Sequence, residues 1–455
     1  MSKTHILAIP YPAQGHVIPL MELSHELVKH GIKVTFVNTD FTHNQITKAL
    51  GEEKGVVDNE IQLVSIPDGL EDGEDRNDLG KLTEAILKDM PMKLEMLIED
   101  INKSSSNKIT CVVADESFGW ALEVANNMRI RSVAFWPASA SMLALAFRVQ
   151  QLLDDGIIDS DGTPTKDGII QLAPMMPSMK TKELLWTCLG GFTAQKIIFD
   201  LMRRNNKAVE VADWIICNST YDHEPAAFAL APEILPIGPL HACNHVGYLA
   251  GNFWPEDSTC LNWLDQQPNN SVIYVAFGSY TVFDHNQLQE LALGLELSSK
   301  PFLWVVRSDI NNNEINHKFL REFEDRVSPY GKVVQWAPQQ KVLSHPSVAC
   351  FLSHCGWNST MEGTTSGVPF LCWPYFADQF VNEAYICDIW KVGLRLDRSG
   401  GIITREEVIY KIKQVVHDEK FKARALELKE LAINSVKEGG SSTKNLSNFI
   451  DWIKA

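Results

Sequence analysis

At 455 residues the chain is too long for one ordinary domain and calls for two or three. Its 45% apolar and 22% charged residues are those of a globular protein with a large core. The formal charge of −16, from 41 basic and 57 acidic residues, argues against a nucleic-acid surface, though a few local donors could still hold an anionic ligand.

Short apolar runs alternate with amphipathic stretches, the pattern of βαβ units and parallel sheets. Residues 5–10 (HILAIP) read as a buried strand, followed by a turn and a helix over about 16–30, with Pro19 expected in its first turn. Gly31 ends that helix and 33–38 (KVTFVN) begins the next strand. Residues 109–114 (ITCVVA) form another, closed by Asp115. The most membrane-like run, 133–147, is too short to span a bilayer and contains Pro137. After a Pro/Gly-rich passage at 235–258 the alternation restarts. Strands are expected at 271–279, 301–307, 332–336, 348–353 and 368–373, with a helix over about 286–298. The reading is two Rossmann-like α/β domains, 1–245 and 246–439, with a C-terminal helix over 440–455 packing back on the first. Ligands of such sheets bind beyond the carboxyl ends of the strands.

Nine cysteines, an odd number with no CxxC pair, read as free thiols in a reducing compartment. No secretion signal opens the chain, so a cytoplasmic protein without a membrane span is expected. His241, Cys243 and His245 resemble a metal site in spacing but lack a fourth ligand. No GxGxxG and no Walker A occurs, which removes the phosphate loops of nicotinamide enzymes and ATPases.

Two groups of residues fall at strand ends. His16 follows the first strand and opens a helix, whose dipole is expected to lower its pKa and favour the neutral, proton-accepting form. Asp115 closes another strand of the same half and could orient the imidazole, as an acceptor-deprotonating pair requires. Each residue alone has a plain structural alternative, a helix cap in both cases. The second group lies in 336–379. Its core, FLSHCGWNSTMEG, reads as strand, turn and helix, with a helix N-terminus near Asn358 that makes an anion site. His354, Asn358 and Ser359 add donors suited to a diphosphate, and Glu362 lies one turn on, where it could accept from a ribose diol. Trp336 offers a flat face for a base, and Asp378 and Gln379 offer polar groups for sugar hydroxyls.

This 44-residue segment closely resembles, without gaps, the signature of plant secondary-product UDP-glycosyltransferases: WAPQ, FLSHCGWNST, EG, GVP, WP and DQ all stand in place. PAQGHVIP, LPIGPL, VAFGS and EGGSS elsewhere also fit, so the resemblance covers the chain. Ser353 and Ser347 stand where Thr and Ala are commoner. The resemblance implies the GT-B fold and inverting transfer from UDP-glucose to a small, largely apolar acceptor, without a metal or other cofactor. It implies that Trp336, with Ala337 beside it, stacks on uracil and that Gln339 and Glu362 contact the ribose. His354, Asn358, Ser359 and Ser279 would bind phosphates, and Trp357, Asp378 and Gln379 the sugar, with Gln in the last place typical of glucose users. His16 would be the base and Asp115 its partner. Phe118, Trp120, Trp136, Met142, Trp186, Phe192 and Phe376 are expected in the acceptor pocket, many of them shared with the core. The partners are then a UDP-sugar and an acceptor, bound by a monomer. C-glycosylation, another UDP-sugar, or a non-catalytic nucleotide-sugar-binding protein are the alternatives.

Overall fold

The computed structural model describes residues 4–50, 60–104, 106–243, 251–307, 314–328 and 330–455. Its strands are the apolar runs, buried along both faces because helices cover both sides of a parallel sheet. The first sheet comprises β1 (His5–Ile9), β2 (Lys33–Thr39), β3 (Ile61–Ile66), β4 (Cys111–Asp115) and β5 (Arg131–Trp136). Two-residue strands β6 (Ile169–Ile170) and β7 (Met179–Lys180) pair with each other, and β8 (Trp214–Cys217) and β9 (Ile234–Pro236) complete the large sheet. Its order is β3-β2-β1-β4-β5-β8-β9, parallel throughout. The order reverses between β1 and β4, which opens a crevice at their carboxyl ends.

The second sheet comprises β10 (Val272–Ala276), β11 (Phe302–Val305), β12 (Gly331–Val334), β13 (Val348–Ser353), β14 (Phe370–Cys372) and β15 (Gly393–Arg395). Its order is β12-β11-β10-β13-β14-β15, again parallel, and here the reversal lies between β10 and β13. β10 stops at Ala276, three residues short of the expected end, because the chain turns at Gly278 with φ +68°. The helix after β1 spans Gln14–Lys29, so Pro19 lies inside it and not in its first turn. That interior proline removes one helix hydrogen bond.

Contacts divide the chain into two units. One holds Met1–Trp254, Phe376–Asp378 and Asn434–Ala455, the other Pro255–Tyr375 and Gln379–Ile433. The joint placed near residue 245 lies outside the described residues. The last helix, Ser441–Lys454, buries Leu446, Phe449, Ile450 and Ile453 in the core of the first unit. The Arg131 guanidinium donates to the carbonyls of Trp452 (2.7 Å) and Ile453 (2.8 Å) and stacks over the Trp452 ring, closing the helix's negative end. Among the described residues no helix is long and apolar enough to cross a membrane.

Candidate functional site

In the first unit the crevice between β1 and β4 holds the His16–Asp115 pair. His16 stands in the first turn of Gln14–Lys29, an entry set by hydrogen bonds from the Ala13 N–H to the Tyr11 carbonyl and from the His16 N–H to the Ala13 carbonyl. Its Nδ1 lies 2.7 Å from Asp115 Oδ2. Asp115 is fully buried, whereas the His16 side chain remains 26% exposed. The other carboxylate oxygen accepts from the Ser117 N–H at 2.9 Å. Asp115 is therefore both the cap of the following turn and the partner of His16, and neither role excludes the other. Burial works against a charged His16 ring, but the charge and hydrogen bond of Asp115 outweigh it and raise the pKa above its usual value. The expected lowering by the helix dipole is thus corrected: a carboxylate in contact dominates the partial charge of a helix end. With Nδ1 engaged by Asp115, Nε2 is the ring nitrogen left to exchange a proton.

Two neighbours escaped the sequence reading. Tyr11 lies with its ring 5.2 Å from His16 and 5.5 Å from Phe118, linking the pair to an aromatic wall. Glu116 is only 4% exposed and its Oε1 has no hydrogen-bond partner. Burial, reinforced by the Asp115 charge, pushes its carboxyl up to about 8.

In the second unit the crevice between β10 and β13 holds His354. A Cβ on Gly278, in the loop after β10, would come 2.5 Å from His354 Nε2, and so would one on Gly356. Two glycines remote in sequence thus clasp the same ring edge. Burial, helped by the Arg307 guanidinium and opposed by a backbone hydrogen bond at Ala276, lowers the His354 pKa to about 4. Arg307, itself buried, donates to the Gly278 carbonyl at 2.8 Å and fixes the loop that carries Ser279. The turn 354–356 is held from both sides. Ser353 Oγ accepts from the Cys355 N–H (3.0 Å), and Asn382 Nδ2 donates to the Cys355 carbonyl (2.9 Å). Serine in place of the commoner threonine keeps the needed hydroxyl. Cys355 is held at φ +65°, a left-handed conformation that costs a non-glycine residue about 1–2 kcal/mol.

That turn launches the helix Trp357–Ser366, whose cap is Gly356 and which therefore has no side-chain cap. Its first amides are the anion-binding kind. Trp357 is 3% exposed and rests against Trp390, so its indole belongs to the packing of the unit. Asn358 is partly exposed at the same end. Ser359 Oγ accepts from Gln339 Nε2 at 2.8 Å. The Gln339 amide also donates to Glu362 Oε2 (2.6 Å) and accepts from the Tyr274 hydroxyl (3.0 Å), while Gln340 donates to Glu362 Oε1 (3.1 Å). Burial, against these bonds, pushes the Glu362 carboxyl up to about 7. Trp336 follows β12 half-buried, with Ala337 buried beside it. Gln379 begins a helix, and its Oε1 accepts from the Tyr375 N–H at 2.7 Å. The division of units falls between Asp378 and Gln379.

The aromatic candidates separate. Phe118 joins the dyad through Tyr11. Trp120, Met142 and Trp136 are buried, the last donating to the Ser139 carbonyl at 2.7 Å. Trp186 is fully buried, donates to the Gly162 carbonyl (2.6 Å) and packs on Phe199, as a core residue does. Phe192 is 60% exposed and Phe376 partly so. Among the described residues no cluster of metal-ligating side chains forms, and His245 lies outside them. All nine cysteines are free.

The family model described as UDP-glucoronosyl and UDP-glucosyl transferase matches residues 193–435, and that of a glycosyltransferase N-terminal domain matches 2–155. The chain is 49% identical to UDP-glycosyltransferase 83A1 of Arabidopsis thaliana, covering 100% of this chain and 98% of the relative. It is 33% identical to 7-deoxyloganetin glucosyltransferase of Catharanthus roseus, over 100% and 97%. Among solved structures it resembles Os79 of O. sativa in complex with UDP (TM-score 0.80, 27% identity, 98% of this chain and 100% of that one). A UDP complex of a UDP-glucose:anthocyanidin 3-O-glucosyltransferase is similar as well (TM-score 0.82, 25% identity, 100% and 99%). With two Rossmann-like domains of the GT-B fold and matches that span its whole length, the chain belongs to the plant secondary-product UDP-glycosyltransferase family.

Proposed function

We propose that this UDP-glycosyltransferase transfers glucose from UDP-glucose, with inversion, to a hydroxyl or carboxyl of a small lipophilic acceptor such as a phenol, flavonoid or terpenoid alcohol. The observation that carries the reading is the 2.7 Å contact of His16 Nδ1 with a buried Asp115, which makes Nε2 a base of raised pKa. His16 takes the acceptor's proton as its oxygen attacks the anomeric carbon. The bond from that carbon to the β-phosphate oxygen breaks, and UDP leaves with the electron pair. Asp115 stabilises the imidazolium that results.

The second unit supplies the donor contacts apart from Asp378, which is counted with the first. The amides opening Trp357–Ser366, with His354, Asn358, Ser359 and Ser279, meet the developing charge on the diphosphate. His354 is neutral before UDP-glucose binds and contributes a hydrogen bond, not a fixed charge. Trp336 and Ala337 face the uracil, Gln339 and Glu362 the ribose, and Asp378 and Gln379 the glucose, with Trp357 acting through the start of its helix. This arrangement asks for no metal ion. Nine free cysteines support action in the cytosol. Incubation with UDP-glucose and a panel of phenols, flavonoids, terpenoid alcohols and carboxylic acids tests the reading, by UDP release and mass detection of the glucoside. Donor binding without UDP release on any acceptor would instead mark a binding protein, and an acid-stable carbon-linked product a C-glycosyltransferase.

A further inference from the structure

The turn that follows Asp115 carries more polar atoms than its surroundings satisfy. Glu116 opens the short 3-10 helix Glu116–Phe118, which runs directly into the helix Gly119–Asn127. Four residues on from Glu116, Trp120 is 1% exposed and its Nε1 has no hydrogen-bond partner. Gly119 lies against the helix Phe192–Ala208, where a Cβ would come 2.7 Å from Asn205 Oδ1. Asn205 is 3% exposed and that oxygen is also unpartnered. An acid, an N–H donor and an amide oxygen thus lie unsatisfied along one turn and its neighbour, immediately beyond the residue that orients His16. Buried polar groups of this kind are ordinarily paired. The aromatic side chains Phe118 and Trp120, 5.1 Å apart, make the rest of the locality apolar.

We propose that Glu116 is a specificity-determining residue of the acceptor site, where its carboxyl hydrogen-bonds a second oxygen of the acceptor, remote from the hydroxyl that receives glucose. Trp120 Nε1 adds a donor to the same subsite. The inference rests on the acceptor-glucosylation reading given above and deepens it. It narrows the substrate class from apolar alcohols to bifunctional ones, such as diols, hydroxyketones and hydroxyethers. With its pKa pushed to about 8, Glu116 is protonated near neutral pH and can both donate to a carbonyl or ether and accept from a hydroxyl. A site built to pair such an oxygen discriminates strongly against the analogue that lacks it, because its own polar groups then stay unpaired.

The test compares 2-naphthol with 2,6- and 2,7-dihydroxynaphthalene in the wild type, Glu116→Gln and Glu116→Leu, by UDP release and mass-detected glucoside. At least one diol is expected to exceed 2-naphthol in kcat/KM by about tenfold or more in the wild type, beyond the statistical advantage of two hydroxyls. The difference should lie mainly in KM. The glutamine variant, which keeps a donor and an acceptor, retains the preference, and the leucine variant brings the ratio towards one. Glu116→Met offers a second apolar replacement should leucine prevent folding, which melting curves report. A ratio that is unchanged in the apolar variant overturns the inference, as does a parallel loss on all three probes, since Glu116 would then merely support the fold or the dyad. Glucosylation of 2-naphthol in those same assays leaves the underlying reading intact. No glucoside from any probe in the wild type overturns the inference, while the broader acceptor panel decides the underlying reading.

Discussion

Both sheets place a histidine at the point where strand order reverses, and the two rings are set to opposite ends of the imidazole's range. His16, beyond β1, is lifted above its usual pKa by Asp115 in contact. His354, beyond β13, is lowered to about 4 by burial, with the Arg307 guanidinium adding to the effect. Topology explains why each histidine is there, but not what it does. The neighbour decides that: a carboxylate makes a base that can hold a proton, whereas burial and a guanidinium make a ring that stays neutral until an anion arrives.

The sharpest way to break this contrast is to remove the base. His16→Ala should lower turnover on alkyl alcohols by roughly 10²–10⁴-fold, and by less on acidic phenols that are already partly ionised. Full activity of this variant on an alkyl alcohol would end the assignment. The pH profile carries the same information. His16 must be neutral to act, so kcat/KM should fall as pH drops through a midpoint above 6.5, the ordinary histidine value. Asp115→Asn should move that midpoint down while lowering the plateau. The stability linkage has its own sign. A histidine raised in the folded state contributes stabilisation fully present below its unfolded pKa and lost as pH rises through the folded value.

His354→Ala comes next, with an expected loss of about 10²–10³-fold in turnover, the scale of removing one donor to a developing anion. The His16 limb should persist in this variant, and His354 itself should add none above pH 5, because its ring is already neutral there. A limb that vanished with His354 and not with His16 would reverse the two roles. The linkage sign is also reversed. The unfolded ring binds a proton that the folded one refuses, so His354 lowers stability as pH falls below about 6.5, until its folded value near 4 is passed. Equilibrium unfolding of the alanine variants across pH 4–8 would show both signs.

The glycine clasp sharpens the comparison, since nothing like it surrounds His16 among the described residues. Gly356→Ala should cost about 1–3 kcal/mol in stability through crowding of the His354 ring. Gly278→Ala should cost more, because its φ of +68° adds strain to the same crowding. UDP affinity, by calorimetry, should fall in both, whereas the His16 pH midpoint should not move. A smaller effect belongs to Gln379→His, which should shift the UDP-glucose to UDP-galactose ratio by about 1–3 kcal/mol in kcat/KM. Equal specificity for the two donors in the wild type would remove the basis for that substitution. The smallest expected change is with EDTA, less than about twofold. A loss beyond about tenfold, restored by Mg²⁺ or Mn²⁺, would show that a cation shares the work given to His354.

What could be read from the chain beforehand follows a physical line. β13 spans Val348–Ser353, the bounds its sequence shows, because a fully buried run of six residues between turns is the length of a core strand. Gln339 and Glu362 lie in one contiguous box of the sequence, and the structure joins them directly, because contiguous residues advertise one another. What the sequence hides lies where distant segments meet. Arg307 under the Gly278 loop and Asn382 on the Cys355 carbonyl lie on other elements. The direction of the His16 shift is not legible beforehand, because a helix end is visible in sequence while a 2.7 Å contact is not. Trp357, an aromatic inside the signature, packs on Trp390, a residue outside it. A motif shows that a residue is placed, but not which way it faces.

The returning C-terminal helix gives the order of synthesis a consequence. Arg131 and the backbone it caps at Trp452 are separated by 321 positions. The apolar surface that receives Phe449 and Ile450 is translated early and stays uncovered while the whole second unit emerges from the ribosome. The unit begun first is therefore the last to be finished. At about 5–20 residues per second, that interval lasts tens of seconds, during which Trp214 lacks its ring contacts with Phe449 and Trp452.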